Sequence, residues 1–471
     1  MDQESNEILE WRQDDNDIEI LKGIDELKKL LPKNLASKVY QKFVDQIDKS
    51  FNAPVGIKEL DIKKLESEDC FNIYKGLSTL RKLLLQNPDD DKLNKIIQAD
   101  KNLVPKIIKL VESSEMQLIK YESVYTLLIL INNQYFQKQI INNNGIKVLL
   151  DQLKSPHLQI STQACTALGN LALDYQNSII IQKNGAVELI LNILQQLKEP
   201  RHIELFCWSL NNIMLISTTD IQKDTIDKAF ITLCNLINKH DDELTLLGCF
   251  KIFQQSLHFT KENYKILIQS QAIDNLLKLA LSQNKKISKA SFDLISGLLQ
   301  SNIELLDQNL SKKCLNLMNK LLHHQQKAID KESVYFSILS FCNGNENQQI
   351  MLCKNNTMIT QIIKFVKDNK SDEAREIISI LALFSQTKNL EIIQSLIKEG
   401  IVQVLIQGLQ IDDEDEKEEL IKALQNILKI YKQISKQKLL NKKQIEAIKK
   451  LPNNKSKTIK SLLKQLFLLL E

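Results

Sequence analysis

QIINNNGIKVLLDQLKS (residues 139–155) and IIIQKNGAVELILNILQQ (179–196) carry one pattern: an apolar helix, Asn-Gly, then a second apolar helix. Weaker copies are LIQSQAIDNLLKLALSQ (267–283) and SLIKEGIVQVLIQGLQ (395–410). Gly145, Gly185 and Gly400 fit the left-handed residue that closes one helix before the next opens. Outward from these copies, the preceding helices keep register. Tyr125, Thr166, Trp208, Phe250, Phe292 and Tyr335 follow one another at steps of 41, 42, 42, 42 and 43 residues. A unit of that length cannot bury its own apolar face, so successive units must stack on one another.

The composition agrees. Of 471 residues, 43% are hydrophobic, only 11 are Gly and 7 are Pro, and no proline lies between Pro200 and Pro452. Such a stretch favours helix and lacks the punctuation of a β protein. The period belongs to armadillo or HEAT repeats, since tetratricopeptide and ankyrin units are shorter. The expected fold is all-α, a right-handed superhelical solenoid of about nine to ten armadillo-type repeats. Residues 67–431 would form the array. An acidic segment, 1–66, precedes it, with helical spacing over Ile20–Leu31 and Leu35–Phe51 that suits packing on the first unit. Residues 432–471 would form a basic capping repeat. Asp412–Glu419 reads as a solvated acidic loop entering a helix N-terminus.

The net charge of +4 argues for neither nucleic acid nor a membrane surface. The ends have opposite sign: ten acids against four bases in residues 1–31, and eleven lysines against Glu446 and Glu471 in 432–471. The eight cysteines never form a CxxC pair and most sit in apolar helical context, which reads as reduced core thiols in the nucleus or cytosol. The start, MDQESNEILE, is too acidic for a targeting peptide. No apolar run approaches a membrane span. No phosphate loop, metalloprotease, nucleophile-elbow or calcium-loop motif occurs, so no catalysis, metal or cofactor is expected.

Several of these segments resemble importin-α, the nuclear import adaptor, over roughly residues 70–465. GLSTLRKLLL (76–85) is similar to the family's opening repeat. TQACTALGNLALD (162–174), FCWSLNN (206–212), KESVYFSILSFCNGNENQQI (331–350) and ELIKALQNILKIYKQ (419–433) resemble its later repeats, in the family's order and spacing. The resemblance implies that basic nuclear localisation peptides lie along a ladder of Trp and Asn, four apart on the inner helix of successive repeats. Asn amides would hold the peptide backbone. Trp rings would hold Lys or Arg stems, with a cation–π contribution of about 0.5–2 kcal/mol, and an acid would fix one lysine.

Carried over residue by residue, Trp208 and Asn212 match one complete pair. Asn170 matches the preceding Asn, with Thr166 in the place of its Trp, and Asp174 matches the lysine-clamping acid. Tyr125 with Ile129 replaces the pair before that. In the family's second groove the pairs fall on Tyr335 and Leu339 and on Glu376 and Ile380, while Glu332 keeps its acid. From the residues alone, Trp208 could equally be core and an Asn at the end of an inner helix could bond locally. The partners implied are basic cargo segments, importin-β and an export receptor, and the implied location is cytoplasm and nucleus. The acidic start and the lysine-rich KQIEAIKKLPNNKSKTIKSLLKQL (443–466) depart from the family's importin-β-binding and export-receptor-binding ends. Two alternatives follow: a scaffold that has lost cargo recognition, and a receptor that works without importin-β.

Overall fold

Short apolar stretches alternate with Asn, Asp, Ser and Thr at positions where a side chain can accept from the first free amides of a helix. The result is a chain of helices with no strand among the described residues. The structure is a computed structural model. It describes residues 27–52, 56, 58, 60–86, 90–215, 222–255, 260–323, 328–354, 356–369, 371–409, 413–434, 446 and 457–470. Most of the acidic start and of the stretch between residues 435 and 456 therefore lies outside the described residues, as does Asp412. Two compact units are present, Met1–His258 and Phe259–Glu471.

In the first unit, α1 (Ser37–Asn52) and a 3₁₀ turn (Ile62–Glu66) lean on α2 (Cys70–Leu85). Phe43 is buried there against Phe71 and Tyr74, with ring centroids 5.4 and 5.7 Å away. Repeats of three helices follow. They are α3 (Asp90–Ala99), α4 (Leu103–Ser113) and α5 (Gln117–Leu130); α6 (Gln134–Asn142), α7 (Gly145–Leu153) and α8 (Leu158–Leu171); and α9 (Tyr175–Lys183), α10 (Ala186–Leu194) and α11 (Pro200–Leu215). Then come α12 (Lys223–Lys239) and α13 (Glu243–Gln255). The third helices α2, α5, α8, α11 and α13 pack each on the next.

Small residues let them come close. A Cβ on Gly169 in α8 would lie 2.9 Å from the Cα of Ser209 and 2.9 Å from Cζ3 of Trp208, both on α11. Cys165, Cys207 and Cys249 recur one period apart on α8, α11 and α13 and are all buried. Burial pushes the Cys165 thiol up to about 12, against a weaker opposing bond from Ser209. Seven of the eight thiols are buried and none is in a disulfide; Cys70, at the start of α2, is exposed.

In the second unit the helices are α14 (Lys261–Gln269), α15 (Ala272–Leu279) and α16 (Lys285–Asn302), then α17 (Gln308–His323) and α18 (Lys331–Leu339), which runs into a 3₁₀ turn (Ser340–Asn343). They continue as α19 (Glu346–Lys354), α20 (Asn356–Asp368), α21 (Asp372–Phe384), α22 (Leu390–Glu399), α23 (Ile401–Gly408), α24 (Glu414–Ile434) and α25 (Lys457–Leu470). Here α16, α18, α21 and α24 form the third-helix ladder. The buried Gln348 amide ties two turns of chain together, donating to the carbonyls of Ile303 (2.9 Å) and Leu306 (3.2 Å). Asn426 donates to the carbonyls of Ser385 and Thr387, both at 2.9 Å. At the end, α25 packs on α24, where Gln425 donates to the Leu462 carbonyl at 2.7 Å. The acidic run is helix from Glu414 onward, so Glu414, Asp415 and Glu416 sit in the first turn of α24, where the helix dipole favours them.

Gly185 and Gly400 take the left-handed conformation, with φ of 78° and 96°. Gly145 does not. The left-handed residue is Asn144 (φ 60°), and Gly145 is the first residue of α7. Asn tolerates that conformation better than most side chains do. The need for glycine at 145 is space: a Cβ there would lie 2.6 Å from the Ile140 carbonyl oxygen. In the weaker copy Gln271 (φ 63°) plays the part of Asn144.

Candidate functional site

Six residues share the register of Trp208, and the structure sorts them by exposure. Thr166, Phe250, Phe292 and Tyr335 are buried, whereas Tyr125 and Trp208 are half-exposed. Trp208 sits in the middle of α11 with its ring edge against Gly169 of α8. Asn212, one turn on, is buried and donates to the Gly169 carbonyl at 3.4 Å. Asn170 is half-buried on the last turn of α8 and donates to the Asn132 side-chain oxygen at 3.4 Å. Trp208, Asn212, Gly169 and Asn170 are thus brought together at one junction between α8 and α11.

Asp174 lies four residues past Asn170, in extended backbone (φ −91°, ψ 133°). It caps α9 by accepting from the Asn177 amide at 3.0 Å, and it is exposed. One carboxylate oxygen can hold the helix end while the other faces solvent, so a structural and a binding role are compatible in this side chain.

Tyr125 on α5 has a cation on its face already. The Arg81 guanidinium of α2 lies 5.2 Å from its ring centroid, within cation–π range. Arg81 is in turn held by Glu122, one turn before Tyr125, at 2.8 and 3.4 Å, and both charged groups are buried. The Tyr121 ring meets Tyr125 edge-on at 5.9 Å. In the second unit, Tyr335 is packed on Phe365 of α20 with centroids 4.9 Å apart, Leu339 is buried, Ile380 is half-buried and Glu376 is exposed. Glu332, in the first turn of α18, is half-buried.

An acid the sequence reading passed over stands one turn before Trp208. Glu204 is half-buried on α11, and burial pushes its carboxyl up to about 7, against the smaller pull of Arg201 and Lys251. Its signal was in plain view, since residues four apart on a helix share a face. Among the described residues, no group of three or more His, Cys, Asp or Glu is placed to hold a metal ion, and no helix is long and apolar enough to cross a membrane.

The Armadillo/beta-catenin-like repeat family matches residues 133–173, which is the α6–α8 triplet with Asn133 capping its first helix. The fold is of the armadillo-repeat type. Among curated proteins, it is similar to importin subunit alpha-1b from Oryza sativa subsp. japonica, 20% identical over 284 residues, 58% of this chain and 51% of that protein. The chain spans about half the length of that relative. Among solved structures, an engineered protein superposes with a TM-score of 0.59 at 17% identity, over 88% of this chain and 98% of its own. A chain from a study of the interaction between cadherin and β-catenin superposes with a TM-score of 0.54 at 12% identity, over 95% and 90%. Both likenesses bear on the fold. Within the armadillo triplet, the candidate residues lie along the third helix and at the start of the repeat that follows it.

Proposed function

We propose that this armadillo protein is a protein-binding adaptor of the importin-α kind, and that the third-helix face of its first unit holds an extended basic peptide, such as a nuclear localisation signal. The observation that carries this reading is the junction of α8 and α11. The half-exposed Trp208 ring, the half-buried Asn170 amide and the exposed Asp174 carboxylate lie within one repeat step of one another. Indole, amide and carboxylate are what a lysine-rich extended chain needs: a face for an alkyl stem, a donor and acceptor for its backbone, and a counter-charge. Cargo on its way into the nucleus is the class of partner this chemistry fits.

A second reading, a scaffold without cargo recognition, is favoured by a different observation. The amides of Asn212 and Asn170 are spent inside the unit, and the Tyr125 ring carries the chain's own Arg81. The two readings part in one titration. A short lysine-rich peptide in moderate salt should bind the wild type saturably, and Trp208→Ala should weaken it about tenfold, or 1.4 kcal/mol. Binding that salt abolishes and Trp208→Ala leaves unchanged would establish the scaffold.

A further inference from the structure

The side chains on either side of Asp174 are large, apolar and in water. Leu173 is 56% exposed and Tyr175 is 50% exposed. Leu215, at the end of α11, is 45% exposed and stands one period after Leu173 (215 − 173 = 42). It also shares a helix face with Trp208, seven residues before it. Single exposed apolar residues are ordinary on a protein surface. A repeated apolar position at the third-helix end, a second apolar side chain two residues on and a solvent-facing carboxylate between them form a more specific pattern. None of the three is needed by the core, because Leu168, Leu171, Leu210 and Ile213 fill it.

Resting on the cargo reading above, we infer that this junction selects an extended segment in which one lysine or arginine is flanked by bulky apolar residues. Charge complementarity fixes the cation: the Asp174 carboxylate is exposed between Leu173 and Tyr175, so an acidic segment would be repelled at the centre of the patch. The flanks follow from what surrounds the acid. A lysine between serines or glycines would leave Leu173, Tyr175 and Leu215 as wet as before. A lysine between apolar residues would lay its stem and its neighbours over them, removing apolar area from water on both partners.

Three peptides of equal length test this by fluorescence polarisation: a lysine flanked by leucine and tyrosine, the same lysine flanked by serines, and the apolar-flanked peptide with norleucine for lysine. Each is titrated against wild type and the double variant Leu173→Ser, Tyr175→Ser, which alters exposed positions only and keeps the Asp174 cap; circular dichroism checks that it folds. The expected result is that apolar flanks tighten binding to wild type about tenfold, as partial burial of two side chains would. That gap should close in the double variant, and norleucine should lose most of the binding. If the serine-flanked lysine peptide binds and Trp208→Ala weakens it, but apolar flanks add nothing or their gain survives the double variant, the selectivity is overturned and the cargo reading stands. Norleucine binding as tightly as lysine would overturn the charged occupant. If none of the peptides binds, both readings fall together.

Discussion

The same repeat position does different work in the two units. In the first, the register row alternates: Tyr125 half-exposed, Thr166 buried, Trp208 half-exposed, Phe250 buried. In the second, Phe292 and Tyr335 are both buried, and the Tyr335 ring meets Phe365 of α20 at a tilt. Each unit thus keeps an aromatic ladder in register, but only the first offers part of it to solvent. Sequence period therefore places a side chain on a helix face without saying whether a neighbour covers that face. The cover comes from residues such as Phe365 that lie outside the period.

The comparison breaks most sharply at Arg81. Arg81→Met would leave Glu122 charged and buried, which costs about 3–5 kcal/mol, whereas Arg81→Met with Glu122→Leu should recover most of it. Urea unfolding of the three proteins checks this, and equal losses in the single and double variants would mean that the pair contributes through packing alone.

Next in size is the pair of aromatics. Tyr335→Ala removes a buried ring and should cost about 3 kcal/mol of stability with no effect on peptide affinity. Trp208→Ala should do the reverse, costing about 1–2 kcal/mol of stability because the ring is only partly buried while it weakens the peptide. Thermal unfolding beside a peptide titration separates the two, and matching behaviour would erase the distinction between the units.

Asp174 sharpens the contrast between cap and clamp. Asp174→Ala should cost about 1 kcal/mol by uncapping α9, whereas Asp174→Asn keeps a cap of similar strength and loses only the charge. If the carboxylate binds a lysine, both variants lose peptide affinity but only Ala loses stability.

The smallest effect belongs to Glu204. Its carboxyl rises from 4.5 to about 7 through burial. Between those two values the folded chain keeps a proton that the unfolded chain has released. The group therefore favours folding most below pH 4.5, and that contribution is lost as the pH rises through about 7. Glu204→Gln should flatten this part of the profile of Tm against pH and leave Tm slightly higher at pH 8.

Much of the fold was legible because it rests on recurrence: the 42-residue step and the Asn-Gly corners are local signals, whereas the caps at Asn133, Asp174 and Asn389 came from the structure. The shift from Gly145 to Asn144 was not legible, because it depends on how closely the chain at 145 approaches the Ile140 carbonyl. Trp208, Asn170, Asn212 and Asp174 were legible as candidates through the resemblance to importin-α together with their shared register. Their partners were not. That Arg81 would lie over Tyr125, or that Asn212 would reach the Gly169 carbonyl, depends on contacts about a whole repeat apart. Leu173 and Leu215 could have been found by the same register count that found Asn170 and Asn212.

Hydrogen–deuterium exchange of the full chain, with and without a saturating lysine-rich peptide, tests the central claim without altering a residue. Protection confined to residues 158–175 and 200–215, with 331–343 and 372–384 exchanging as before, is the predicted result. Protection on the second unit's third helices, or none anywhere, would contradict it.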